Sequence, residues 1–145
     1  LTLFFKGSVD HYFVVMMYYR KTSKMLSVLI VDDNEEFVER MIDLLVDVES
    51  ISSIQTASDY NEAFRMLDNK AHDVVLLDIN LSGKSGIDLL QKIQELGWNC
   101  NVIMITNSSG RYYKRECKKL GVTHFLDKTN EFEKVPMIIT SISPN

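Results

Sequence analysis

Asp32 and Asp33 follow the apolar run SVLIV, Asp78 follows VVLL, Thr106 follows VIMI, and Lys128 comes directly after HFLD. Three carboxylates, a hydroxyl and an ammonium thus stand where apolar runs stop, at four separated places in the chain. If those runs are parallel strands of one sheet, their carboxyl ends share an edge and the five side chains converge there. Two carboxylates about 4 Å apart repel by roughly 4 kcal/mol at an effective dielectric near 20, so three crowded together call for a cation. All-oxygen ligands favour Mg²⁺ or Mn²⁺, and a site with few protein ligands leaves positions open for water and a phosphate oxygen. A carboxylate can also attack phosphorus to give an aspartyl phosphate. Lys128 would then set a point charge against a phosphoryl oxygen and Thr106 a hydroxyl hydrogen bond, so that developing charge meets fixed partners.

Each residue taken alone has a plainer explanation. Asp32, Asp33 or Asn34 would serve as a helix cap, Asp78 as a turn residue and Lys128 as a solvated lysine. Their joint occurrence is what turn preference does not explain: complementary chemistries sit at four strand ends of one expected edge.

The elements that must position these groups begin at Leu26. MLSVLIV reads as a buried strand, and NEEFVERMIDLLVDVE then places Phe37, Met41, Leu44, Leu45 and Val48 at helical spacing. ISSIQTA returns to strand character. Asp59 is the expected cap of the helix DYNEAFRMLDNK, whose buried stripe is Ala63, Phe64 and Leu67. DVVLLD is a third strand, SGIDLLQKIQELG a third helix stopped by Gly97, and NVIMIT a fourth strand. SSGRYYKRECKKLG reads as a helix ending at Gly121, VTHFLD as a fifth strand, and VPMIITSI as the last helix, with Pro136 in its first turn. Five strands alternating with five helices, the strands apolar without clean alternation, mean a parallel sheet covered on both faces. The expected fold class is α/β, a doubly wound five-stranded parallel sheet.

A chain of 145 residues with 46% hydrophobic residues and two prolines is one domain's worth. Its formal charge of -4 argues against nucleic acid as a direct partner, because phosphate-backbone binding wants a basic face. Cys100 and Cys117 show no metal-ligand spacing and no Cys-x-x-Cys, so both are expected to be reduced packing residues of a cytoplasmic protein. His11, His72 and His124 lie in unrelated segments and read as ordinary surface or strand residues. Gly83 and Gly86 make no Walker pattern. No stretch reaches the roughly 18 apolar residues of a membrane span, HYFVVMMYY being the longest approach. Residues Leu1 to Lys24 fall outside the strand–helix rhythm. They read as a non-native extension, a docking strand that would support a homodimer, or a surface-seeking segment, with the domain itself over residues 25–145.

VDDNEEF, LLDINLSGKSG, VIMITN and FLDKT resemble the receiver domain of bacterial response regulators, in order and with family-like spacing from Met25 to about Ser143. The ending THFLDKTNEFEKVP is similar to stand-alone receivers of two-component pathways, and no output domain is expected after it. The resemblance implies a flavodoxin-like sheet of order 2-1-3-4-5, an order already familiar from the chemotaxis receiver of that family. Its reversal lies between the first and third strands, where Asp32, Asp33 and Asp78 stand.

Carried over by position, the resemblance makes Asp78 the phosphoacceptor and a metal ligand. Asp33 would hold Mg²⁺ directly, Asp32 directly or through water, and Asn80 through its backbone carbonyl. Thr106 and Lys128 would contact the phosphoryl group, and Phe125 would be the aromatic residue that turns inward when the threonine is drawn to it. The implied partners are a sensor histidine kinase or histidine phosphotransfer protein and a downstream protein target. Arg111, Lys114, Arg115 and Lys118, near Tyr112 and Tyr113, form a basic face that would suit an acidic partner or simply be solvated. Three positions depart from the family pattern: Ser82 replaces a frequent proline and would loosen its loop, Asn107 replaces a small residue, and Phe125 lacks the hydroxyl of the commoner tyrosine.

The function expected is phosphorelay signal transduction by a phosphorylation switch, an enzyme only through slow autodephosphorylation. Two alternatives stay open. One is an interaction module that keeps the fold without phosphorylation. The other is a haloacid-dehalogenase-type phosphatase, against which stands Asn80, where that family needs a second aspartate.

Overall fold

Val74, Val75, Leu76 and Leu77 are all buried, which a strand permits only when both of its faces are covered. They form β3 of the computed structural model, which describes residues 25–108 and 110–143. The expectation of an extension over 1–24 lies outside the described residues.

The elements follow the expected alternation: β1 (Leu26–Val31), α1 (Glu35–Leu45), β2 (Ile51–Ala57), α2 (Tyr60–Asn69), β3 (Val74–Leu77), α3 (Gly86–Leu96), β4 (Asn101–Thr106), α4 (Arg111–Lys119), β5 (His124–Asp127) and α5 (Val135–Ser141). A 3₁₀ turn, Phe132–Lys134, leads into α5. All strand pairs are parallel, in the order β2-β1-β3-β4-β5.

Alternate residues of each strand feed two cores. Val28, Ile30, Val74, Leu76, Ile103 and Ile105 pack against α1 through Phe37, Met41 and Leu45, and against α5 through Val135 and Ile139. Leu29, Val31, Val75, Leu77 and Met104 meet Ala63 and Leu67 of α2, Leu89, Leu90 and Ile93 of α3, and Cys117 of α4. The sheet is therefore clad on both faces, as a doubly wound α/β fold requires.

Helix starts are set by side-chain caps. Asn34 accepts from the Phe37 amide at 3.0 Å, Asp59 from Glu62 at 2.8 Å, and Ser85 forms a reciprocal capping box with Asp88. Gly97 ends α3 in the left-handed conformation, and Pro136 sits in the first turn of α5.

Four readings need correction. The first helix stops at Leu45, so Val48 lies beyond it, where its carbonyl accepts from Ile51 to turn the chain into β2, while Leu44 and Val48 both pack half-buried against the core. Phe64 is half-buried, leaning on Trp98 with ring centroids 5.4 Å apart. The fourth helix begins at Arg111 rather than at Ser108, because the Ser108 amide donates to Thr106 Oγ1 at 3.1 Å and Gly110 brings no side-chain cap. His72 is not a surface residue.

His72 is buried between β2 and the segment leading to β3. Its Nδ1 lies 3.0 Å from the Lys70 carbonyl and its Nε2 2.8 Å from Gln55 Oε1. Burial pushes the imidazole below its usual range, the Lys70 charge adds to that, and the Lys70 carbonyl and Asp73 oppose it. Both cysteines are free thiols, Cys117 fully buried and Cys100 partly so. Burial pushes the Cys100 thiol up to about 11 and raises Cys117 as well.

Candidate functional site

Val31 pairs with Leu77 across the central strands, so the next residue on each strand, Asp32 and Asp78, leaves the sheet at the same rim. The Asp78 amide donates to the Val31 carbonyl at 3.1 Å and the Asp32 amide to Ala57 at 3.0 Å. Thr106 ends β4 opposite Asp127 of β5, and the Lys128 amide donates to the Thr106 carbonyl at 3.2 Å. Four strand ends are thus held together by backbone pairing before any side chain meets another.

The Lys128 ammonium joins the carboxylates, at 2.6 Å from Asp32 Oδ2 and 2.9 Å from Asp78 Oδ2. Lys128 is only 9% exposed in its side chain, and Asp32 and Asp78 are 4% exposed. Burial raises the Asp32 carboxyl above its usual range, the Asp78 charge adds to this, and Lys128 and the Asn34 amide partly offset it. For Lys128, burial works against the charge, yet the two carboxylates outweigh it and hold the ammonium above its ordinary value.

Asp33 points to solvent, and Ser82 Oγ donates to its Oδ2 at 3.4 Å. Oxygens of Asp32, Asp33 and Asp78 lie within 4.8 Å of one another. Asp78 Oδ1 is buried with no hydrogen-bond partner among the described residues. A buried acceptor left unpaired beside two further carboxylates, one of them open to solvent, fits a hard divalent cation, and the donor set is of the oxygen type that such ions prefer.

Other predicted residues fall around this centre. Asn80 donates through its side-chain amide to Ser108 Oγ at 2.7 Å, joining the loops after β3 and β4. Thr106 is fully buried. Asn107 accepts from Thr129 Oγ1 at 3.4 Å. Ser82 is less free than its replacement of proline suggests, since its backbone also bridges to Asp59.

Phe125 stands three residues before Lys128. It is half-buried on β5 and lines a cleft of about 530 Å³ with Lys114, Lys118, Gly121, Val122 and Thr123. Arg111 and Arg115 are exposed on α4 outside that cleft, Arg115 lying 3.9 Å from Glu116. The predicted basic face therefore divides, with only Lys114 and Lys118 beside Phe125.

Sequence reasoning missed Ser82, Ser108 and Phe37 as parts of the site. Ser82 stood out only as the replacement of a frequent proline, and Ser108 is a polar loop residue with nothing in its spacing to distinguish it. Phe37 reads as a core position, which it is, but its ring also stands 4.5 Å from the Lys128 ammonium.

Among the described residues, no helix is long and apolar enough to cross a membrane. The sequence profile described as "Response regulator receiver domain" matches residues 28–140. A protein-glutamate methylesterase/protein-glutamine glutaminase of Bacillus subtilis is 34% identical over 107 residues, covering 72% of this chain and 29% of that protein. Response regulator UvrY of Escherichia coli is 27% identical over 118 residues, covering 81% of this chain and 54% of its own length. The chain thus spans about a third to a half of these relatives. Among solved structures, a CheX-CheY-BeF3-Mg+2 complex from Borrelia burgdorferi matches with a TM-score of 0.72 and 31% identity, covering 80% of this chain and 87% of that one. The signal receiver domain of NarL from Mycobacterium tuberculosis shares the fold at a TM-score of 0.72 and 21% identity, covering 82% and 99%.

Proposed function

The chain belongs to the response regulator receiver domain family and serves phosphorelay signal transduction; from that premise we propose that Asp78 is its phosphoacceptor. The observation that carries the reading is the Lys128 ammonium set between Asp32 and Asp78 beside an unpaired Asp78 oxygen.

An Asp78 carboxylate oxygen forms a bond to phosphorus as the P–N bond of a partner's phosphohistidine breaks, the electron pair leaving with the imidazole. Lys128 and Thr106 meet charge on the transferring oxygens. Asp32, Asp33 and Asp78, with the backbone carbonyl of Asn80, would hold Mg²⁺ or Mn²⁺, which when bound supplies further positive charge there. A sensor histidine kinase or a histidine phosphotransfer protein in the cytoplasm is the donor.

The output is a change in protein binding rather than an enzymatic activity of the chain, apart from slow autodephosphorylation. Thr106 and Phe125 carry the change from the site to the α4 face, where Lys114 and Lys118 beside the Phe125 cleft suit a protein partner with an acidic docking segment. The CheX-CheY complex is a precedent for protein partnering in a relative's structure.

The test is incubation with phosphoramidate and Mg²⁺ followed by intact mass measurement. A gain of one phosphoryl group in the wild type and none in Asp78→Asn supports the reading. An unchanged wild-type mass, or equal gain in the variant, overturns it.

A further inference from the structure

Lys128 has a third neighbour besides its two carboxylates. Its ammonium stands 4.5 Å from the centroid of the Phe37 ring, a distance at which a cation is drawn to the negative face of an aromatic ring. Phe37 is 6% exposed, so little water intervenes to screen the contact. The backbone that carries the ring is fixed, and the ring has a second aromatic neighbour. The Asn34 side chain accepts from its backbone amide and fixes the first turn of α1, and Phe132 packs edge-on against the ring with centroids 5.7 Å apart at 74°. Arg40 in turn lies over Phe132 at 4.9 Å.

We propose that Phe37 is a positioning residue for Lys128: its ring face fixes the ammonium above the acceptor while the charges of the two carboxylates change. The inference rests on Asp78 being the phosphoacceptor. A lysine ammonium is a point charge on a flexible four-carbon stem, and ordering it requires constraints. Both carboxylate constraints are altered by the reaction itself. Asp78 exchanges its carboxylate charge for the larger negative charge of the phosphoryl group when it becomes an acyl phosphate, and Asp32 shares its charge with any cation held in the acidic cluster. The ring quadrupole depends on neither event. An aliphatic residue of similar bulk would fill the same core space without holding the charge.

The experiment replaces Phe37 with phenylalanines carrying one, two and three ring fluorines, which withdraw electron density from the ring face with little change in volume. The initial rate of phosphoryl incorporation from phosphoramidate and Mg²⁺ is read by intact mass. Rates should fall stepwise with fluorination, and Phe37→Leu should be slower by roughly thirtyfold, as a desolvated cation–π contact implies. Unfolding midpoints should stay level across the fluorinated series, which separates lost positioning from lost stability. A wild type that takes up phosphoryl groups, with rates flat across the series, overturns the role of Phe37 alone. A wild type that takes up none overturns the phosphoacceptor reading and this inference with it.

Discussion

A β-carbon placed on Gly86 would lie 1.9 Å from the carbonyl oxygen of Asp78. The first residue of α3 thus touches the backbone of the residue that follows β3, and the Gly86 amide donates to Ile79 at 2.8 Å. The glycine eight residues beyond the aspartate is there because no other residue fits.

Gly86→Ala should therefore destabilise the protein. Alanine gains up to about 1 kcal/mol of helix propensity, but a clash with backbone cannot be relieved by a rotamer change and overpacking costs about 1–3 kcal/mol or more. A lower urea midpoint at unchanged slope is the expected result. An equal or higher midpoint would contradict the close approach.

Lys128→Met should cost about 3 kcal/mol in chelator, because it leaves two buried carboxylates facing each other without a cation. Saturating Mg²⁺ should recover part of that loss, since a ligand bound only to the folded state stabilises it. Urea titrations with and without Mg²⁺ measure both effects. A variant as stable as the wild type in chelator would remove the bridging role of Lys128.

His72 gives the fold a pH dependence whose sign follows from its lowered pKa. Between the folded value and the ordinary 6.5, the unfolded chain binds more protons, so stability rises with pH across that window. The contribution is complete above 6.5 and is lost as pH falls toward the folded value. From about pH 7.5 to about pH 5.5 the wild type should lose more stability than His72→Gln. Identical losses would show that His72 takes up a proton without cost.

Much of this arrangement was legible in the chain. Apolar runs ending at Asp32, Asp78, Thr106 and Lys128 required a shared rim once the strands were parallel, and the register of Val31 with Leu77 supplies it. The burial of His72 was not legible, because a lone histidine gains partners only when Gln55, on β2, comes beside it. Ser82 and Phe37 were missed for the same reason. Their partners, Asp33 and Lys128, are distant in sequence, and neither a loop serine nor an apolar helix position announces a polar or cationic neighbour. The division of the basic face also needed coordinates, since helical spacing alone does not say which of four cations borders Phe125.

The most direct test of the account locates the phosphoryl group. After phosphorylation with phosphoramidate and Mg²⁺, borohydride reduction converts an aspartyl phosphate into homoserine, and peptide mass mapping reads its position. The account predicts homoserine at residue 78 alone, with the signal lost in Lys128→Met. Homoserine at Asp32, Asp33 or any other aspartate, with Asp78 unmodified, would contradict it.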